Sequence, residues 1–242
     1  MSARCLVFGG TGAVGGGVLR ALAARGARLA FTYHRRAYDA SRLAGELGAR
    51  ALPVDLADVA SVEGAVDAAV SALGGIDAFV QAAGVAVTIA TAEIAPHQTM
   101  PDIDERAWDR MADVVIKGSF FAARHVARAM PRGNVVLLGS IDGVKSAPSP
   151  VHYAAAHGAI TAMARAMAKE LGPRDIRVNV VAPGPLDAGQ TTAIPPDVRA
   201  EYLRHSGLRR LGKVEEVAAV VRWLALDNTY VTGRTVCVDG GL

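Results

Sequence analysis

Gly9-Gly10-Thr11-Gly12-Ala13-Val14-Gly15 decides how this sequence is read. Before it stands a short apolar run, Arg4–Phe8, of the length of a buried strand. After it Val14, Val18, Leu19 and Leu22 recur at helical spacing up to a stop at Gly26. The turn between them contains Gly10-x-Gly12-x-x-Gly15. Glycines let a backbone turn sharply and approach a pyrophosphate, whose charge then meets the N-terminus of the helix. A glycine-rich turn by itself can be only a turn. Between an apolar strand and a helix it predicts a dinucleotide site.

The rest of the chain repeats the theme. Further strands are predicted over Arg28–Tyr33, 51–54, 77–80, 134–139, 177–182 and Thr235–Val238, and helices over Val59–Leu73, 104–130, 150–171, 197–205 and Val214–Leu226. Strands alternating with helices predict an α/β fold, a Rossmann-type doubly wound sheet of about seven parallel strands flanked by helices. One domain spanning 1–242 accommodates it. Two stretches break the rhythm: 85–103, with Pro96 and Pro101, and 185–206, polar and proline-rich ahead of its short helix. Long loops are usually functional, and ligands of open α/β sheets bind beyond the carboxyl ends of the strands. Both stretches are read as walls of a substrate site.

Composition narrows the function classes. Hydrophobic residues make up 51% of the chain and charged residues 20%, ordinary for a globular fold. The net charge of +3 is carried by scattered basic residues, which argues against a nucleic-acid surface. Cys5 and Cys237 lack metal-ligand spacing and read as buried thiols. His97, His125 and His152 read as loop or helix-surface groups, and no metal is expected. With no apolar run of membrane-spanning length and no signal-peptide pattern, a cytoplasmic location with a small-molecule partner is expected.

The second strand ends in Tyr33-His34-Arg35-Arg36, with no carboxylate until Asp39. A carboxylate there would hold the ribose of NAD and repel a 2′-phosphate, whereas arginine pairs with one. NADP(H) is therefore the expected cofactor, with NAD(H) the lesser option.

Several motifs in order resemble the short-chain dehydrogenase/reductase family over residues 4 to 242. Gly9 and Gly15 match the outer glycines of its G-x-x-x-G-x-G turn, and Ala13 replaces the middle one. Asp55-Leu56 resembles the pair that contacts the adenine. Gln81-Ala82-Ala83-Gly84 stands where the family has Asn-Asn-Ala-Gly. Asn179-Val180-Val181-Ala182-Pro183-Gly184 is similar to the segment whose Pro-Gly lies beside the nicotinamide. Leu211-Gly212-Lys213-Val214-Glu215-Glu216-Val217 and the stretch Thr232 to Gly241 also match. The cofactor set that the resemblance implies comprises Gly9, Thr11, Gly12, Ala13, Val14, Gly15, Tyr33, His34, Arg35, Arg36, Asp55, Leu56, Ala83, Gly84, Tyr153, His157, Pro183, Gly184 and Leu186.

At the chemical end the resemblance assigns Ser140 to the substrate carbonyl and Tyr153 to its proton. Four residues on, where the family's Lys binds the nicotinamide ribose and lowers the Tyr pKa, this chain has His157. An imidazole can bond a ribose hydroxyl and, if protonated, supply charge. The family's Asn in the preceding helix aligns with Val115, and its Thr after Pro-Gly with Ala188, although Thr191 and Thr192 follow. Lys145, on the loop after Ser140, is a candidate substitute charge. The expected activity is NADP-dependent reduction of a carbonyl to an alcohol, as in ketoreductases acting on 3-oxoacyl groups, by a modified Ser140, Tyr153, His157 centre. The substrate is a small carbonyl or alcohol, carrier-protein-bound or free, and the resemblance implies a homotetramer or homodimer. The alternative is a cofactor-binding protein with altered or lost redox chemistry, serving as sensor, scaffold or non-redox catalyst. Enoyl reductases of the family use a wider Tyr-to-Lys spacing, which here meets Ile160.

Overall fold

Along the first strand, β1 (Arg4–Phe8), alternate side chains point to opposite faces of a sheet and serve two different cores. The computed structural model describes residues 2–85, 98–146, 149–189 and 196–242. β1 is joined by β2 (Arg28–Tyr33), β3 (Arg50–Pro53), β4 (Ala78–Gln81), β5 (Gly133–Leu138), β6 (Ile176–Pro183) and β7 (Thr235–Val238). They form one parallel sheet in the order β3-β2-β1-β4-β5-β6-β7. The expected seven-stranded doubly wound sheet is present, with boundaries moved by a residue at several strands.

The helices are α1 (Ala13–Ala23), α2 (Ala37–Leu47), α3 (Val59–Leu73), α4 (Glu105–Met111), α5 (Gly118–Ala129), α6 (Val151–Leu171), α7 (Pro196–His205) and α8 (Val214–Leu226). Leu6 and Phe8 are buried on the side of α3, α5 and α6, and Cys5 and Val7 on the side of α1 and α8. The rings of Phe8 and Phe79 meet edge to face at 5.4 Å, adding about 0.5–1.5 kcal/mol to their burial. A strand buried on both faces must be apolar at every position, which is why β1 reads as an unbroken run.

Two corrections concern the helices. α2 was not marked by the sequence, because it buries only Ala40 and Leu43 and is low in overall hydrophobicity. The helix expected over 104–130 is divided by a π-helical turn, Ala112–Lys117, between α4 and α5. Cys5 is buried, and burial pushes its thiol up to about 12, whereas Cys237 is only part-buried. Among the described residues no helix is long and apolar enough to cross a membrane.

The order of strands reverses between β1 and β4, and the crevice there is the standard ligand site of an open α/β sheet. Each residue discussed next lies in or near the loops beyond the carboxyl ends of the strands.

Candidate active and cofactor site

β1 delivers the chain to Gly9, whose φ of +81° lies in the left-handed region, and a Cβ there would stand 2.7 Å from the Ala83 backbone. The Gly9 amide donates to Thr32 Oγ1 at 3.2 Å and the Gly10 amide to the Thr32 carbonyl at 2.9 Å, tying the loop to β2. The Gly12 amide turns back to the Gly9 carbonyl at 2.9 Å. That carbonyl would lie 2.2 Å from a Cβ on Gly15, so the turn closes only around a bare backbone. Thr11 lies in the turn, Gly12 caps α1, and Ala13, Val14 and Gly15 form its first turn. First-turn amides have no partner inside a helix, and this turn holds no acidic side chain. Such an end suits a pyrophosphate.

At the end of β2, part-buried Tyr33 is followed by exposed His34, Arg35 and Arg36. The Asp55 carboxylate accepts from the Ala57 amide at 3.0 Å and stands 3.9 Å from His34 Nε2, while Leu56 is buried. Ala83 and Gly84 follow β4. Gln81, in the place of an expected Asn, is buried and donates to Ser119 Oγ at 2.9 Å, joining β4 to α5. At the end of β6 the Gly184 amide donates to the Val238 carbonyl at 3.0 Å. Leu186 is buried and bridges Gly212, the Asp187 amide donating to the Gly212 carbonyl at 2.9 Å. The Leu211 to Val217 motif thus anchors this wall and starts α8. The bare glycine cradle and the uncharged helix start fit a nicotinamide dinucleotide, and two arginines follow β2.

β5 ends just before Ser140, and α6 carries Tyr153 and His157 one turn apart. The two rings lie 4.4 Å apart between centroids, tilted by 54°. The loop after Ser140 is pressed against α6, since a Cβ on Gly143 would fall 2.4 Å from the His157 backbone. His157 Nδ1 is buried without a hydrogen-bond partner. Burial pushes His157 down to about 4, so the imidazole is neutral at pH 7 and the protein alone does not supply the charge expected of it. Burial, aided by the nearby charge of Asp142, pushes the Tyr153 phenol up to about 12, against an opposing pull from Ser140. Tyr153 therefore keeps its proton throughout the neutral range.

The sequence reading missed Asp142. Ser140 Oγ donates to Asp142 Oδ2 at 2.5 Å, and the Tyr202 hydroxyl of α7 donates to Oδ1 at 3.5 Å. Burial raises the pKa of Asp142, and the hydrogen bond from Ser140 opposes the rise. An acidic residue two places after Ser140 was the available signal. Other expectations are corrected. Lys145 does not turn toward Tyr153: it pairs with Asp239 at 2.6 Å and bonds the Leu242 carbonyl. His152 is buried with both ring nitrogens unpaired, and His125 bridges α5 to Asp67 of α3 at 2.7 Å, so neither is a free surface group. Val115 lies buried in the π turn, among apolar groups that include Tyr153 and Ile160. His97, Thr191, Thr192 and residues 86–97 and 190–195 of the two substrate-loop stretches lie outside the described residues. Among the described residues no cluster of metal ligands occurs.

A family model described as enoyl-(acyl carrier protein) reductase matches residues 11–242. The chain is 35% identical over 240 residues to the cyclic-di-GMP-binding biofilm dispersal mediator protein of Escherichia coli, covering 97% of this chain and 94% of that one. It is 30% identical over 243 residues to the 3-oxoacyl-acyl-carrier-protein reductase FabG of Escherichia coli, covering 98% and 96%. A short chain dehydrogenase from Burkholderia cenocepacia, solved in complex with NADP, superposes with a TM-score of 0.89 at 28% identity over 99% of this chain and 97% of that one.

Proposed function

We propose that this chain, which belongs to the short-chain dehydrogenase/reductase family, is an NADP-dependent oxidoreductase that reduces a keto group to an alcohol. The observation that carries the reading is a protonated phenol, Tyr153, close to the Ser140 hydroxyl at the edge that also bears the glycine cradle. Bound NADPH supplies the hydride that goes to the carbonyl carbon. Ser140 orients the carbonyl oxygen by turning its one hydroxyl hydrogen from Asp142 toward it, and Tyr153 Oη delivers the proton that completes the alcohol, to be replaced from solvent. His157 acts as a neutral hydrogen-bonding group toward the cofactor ribose, consistent with its orphaned Nδ1. Reduction is the favoured direction, because oxidation needs a Tyr153 phenolate that burial and Asp142 both disfavour.

Arg35 and Arg36 hold the 2′-phosphate of NADP in this reading, and the complex of the Burkholderia relative with NADP supports that choice. The substrate is a small carbonyl compound, free or carried on an acyl carrier protein as for the FabG relative, and a homodimer or homotetramer is the assembly that the family resemblance implies. Keto reduction is favoured over enoyl reduction because the wider spacing of the latter falls on Ile160, which is buried in the core.

A second reading rests on the neutral His157, the apolar Val115 and the 35% identity to a cyclic-di-GMP-binding protein: the chain binds a nucleotide and signals without turnover. Stopped-flow loss of NADPH absorbance against a panel of ketones separates the two. Consumption of NADPH with at least one ketone is expected. Tight NADPH binding with no consumption across the panel would favour the second reading.

A further inference from the structure

Asp142 is a part-buried carboxylate within one hydrogen bond of the hydroxyl that meets the carbonyl, and no cation answers it. Its Oδ2 accepts a hydrogen bond from Ser140 Oγ at 2.5 Å, while Oδ1 has the long 3.5 Å contact to Tyr202. A carboxylate can accept about four hydrogen bonds, so capacity is left over. The cation within sequence reach, Lys145, is committed to Asp239, and His157 is neutral. Among the described residues Asp142 forms no salt bridge, and residues 86–97, 147–148 and 190–195 contain no lysine or arginine that could provide one. The neighbouring Ser149 hydroxyl also leans on the carboxylate and opposes the rise of its pKa, without reaching strict hydrogen-bond geometry. Carboxylate, hydroxyls and phenols together make a polar wall suited to a small charged substrate and not to an alkyl chain.

We propose that Asp142 is a specificity-determining residue that receives a protonated amine on the α- or β-carbon of the ketone substrate. The proposal rests on the keto-reduction reading for its reaction, though not for its binding step. An ammonium on the α-carbon lies next to the carbonyl oxygen, so a substrate seated on Ser140 brings its charge to Asp142. The positive charge that the family lysine would have brought near this ammonium is absent, which removes a repulsion. A charged acceptor at such a site discriminates by about 10- to 100-fold against an isostere lacking the donor.

The test uses aminoacetone and butanone, which differ by an ammonium against a methyl group, as NADPH-consuming substrates. It also uses their alcohols, isopropanolamine and sec-butanol, in calorimetry with the NADPH-loaded protein, a pairing that cannot react. The parent is expected to favour the amine by about 10- to 100-fold in kcat/KM and in affinity. In Asp142→Asn the ratio is expected to collapse toward unity, whatever happens to the absolute rates. A parent without preference for the amine overturns the proposal even if the variant fails to fold, and so does a preference that survives the substitution. If neither ketone consumes NADPH but isopropanolamine still binds ahead of sec-butanol in the parent alone, keto reduction falls and the charge site stands. If the alcohols also bind alike, both fall.

Discussion

At the glycine loop the groups that would face a ligand are backbone amides, and neighbouring backbone fixes their positions. At Ser140, Tyr153 and His157 they are side chains, and the surroundings decide their protonation. The first region tolerates exchange of side chains as long as no atom fills the space: Ala13 stands where the family has glycine, yet Gly9 and Gly15 could not be replaced without collision. The second keeps its geometry through several exchanges but not its electrostatics. With His157 for Lys and Val115 for Asn the rings of Tyr153 and His157 meet at a tilt, while His157 is held neutral and burial raises the pKa of the neighbouring Asp142. Shape is thus inherited through the backbone, and reactivity must be re-read at each side chain.

The comparison is tested hardest at Tyr153. Tyr153→Phe removes one hydroxyl and should lower kcat for ketone reduction by about 10²–10⁴-fold while leaving NADPH affinity near the parent value. Equal turnover in the two proteins would make the side-chain end structural as well. At the other end, Gly15→Ala drives a methyl into the Gly9 carbonyl and should cost about 3 kcal/mol, the upper range for overpacking, read in denaturant midpoints and in lost NADPH binding. Unchanged stability and affinity would mean the cradle yields easily. Arg35→Ala or Arg36→Ala should weaken NADPH by about 1.5–3 kcal/mol and NADH hardly at all, as paired titrations of both cofactors will show. Equal losses would remove the NADP preference.

A pH-dependent effect, small near neutrality, sharpens the electrostatic half. A histidine held neutral near 4 in the folded state and titrating near 6.5 when unfolded is protonated first in the unfolded chain. Its contribution is therefore fully present above about pH 6.5 and lost as the pH falls toward 4, by about 1.4 kcal/mol per unit. His157→Gln lacks this loss, so the stability difference between parent and variant should change across that window and stay flat above it. A flat difference throughout would show that His157 is solvated enough to titrate normally.

The same division explains what the sequence made legible. The sheet was readable because Arg4–Phe8, Arg28–Tyr33 and Thr235–Val238 are runs bounded by glycines or turns, and the glycine spacing is a backbone property written directly in residue identity. α2 was not readable, because only Ala40 and Leu43 are buried and its overall hydrophobicity is low. Nor was the π turn, since its extra residue leaves Val114 and Val115 both buried and the apolar pattern merely looks continuous. The burial of His157 and the turning of Lys145 toward Asp239 depend on contacts between segments far apart in sequence, which spacing does not encode. Asp142 was visible as a residue but not as a partner, because its bond to Ser140 appears only when the loop folds back into a turn.

Gly9 rests on the backbone of Ala83, and that contact has a consequence in time. β1 can pair with β2 through the register Cys5 to Leu29 while a growing chain is still short, but its other edge waits for β4, where Cys5 meets Ala78. Contacts of such sequence separation close large loops and form slowly. The cradle encoded by residues 9 to 15 therefore gains its floor only after β4 and Ala83 have been made, about a third of the way along the 242-residue chain. A nascent chain emerging from the ribosome should accordingly gain protection from protease by NADPH only once the segment through Ala83 has cleared the exit tunnel.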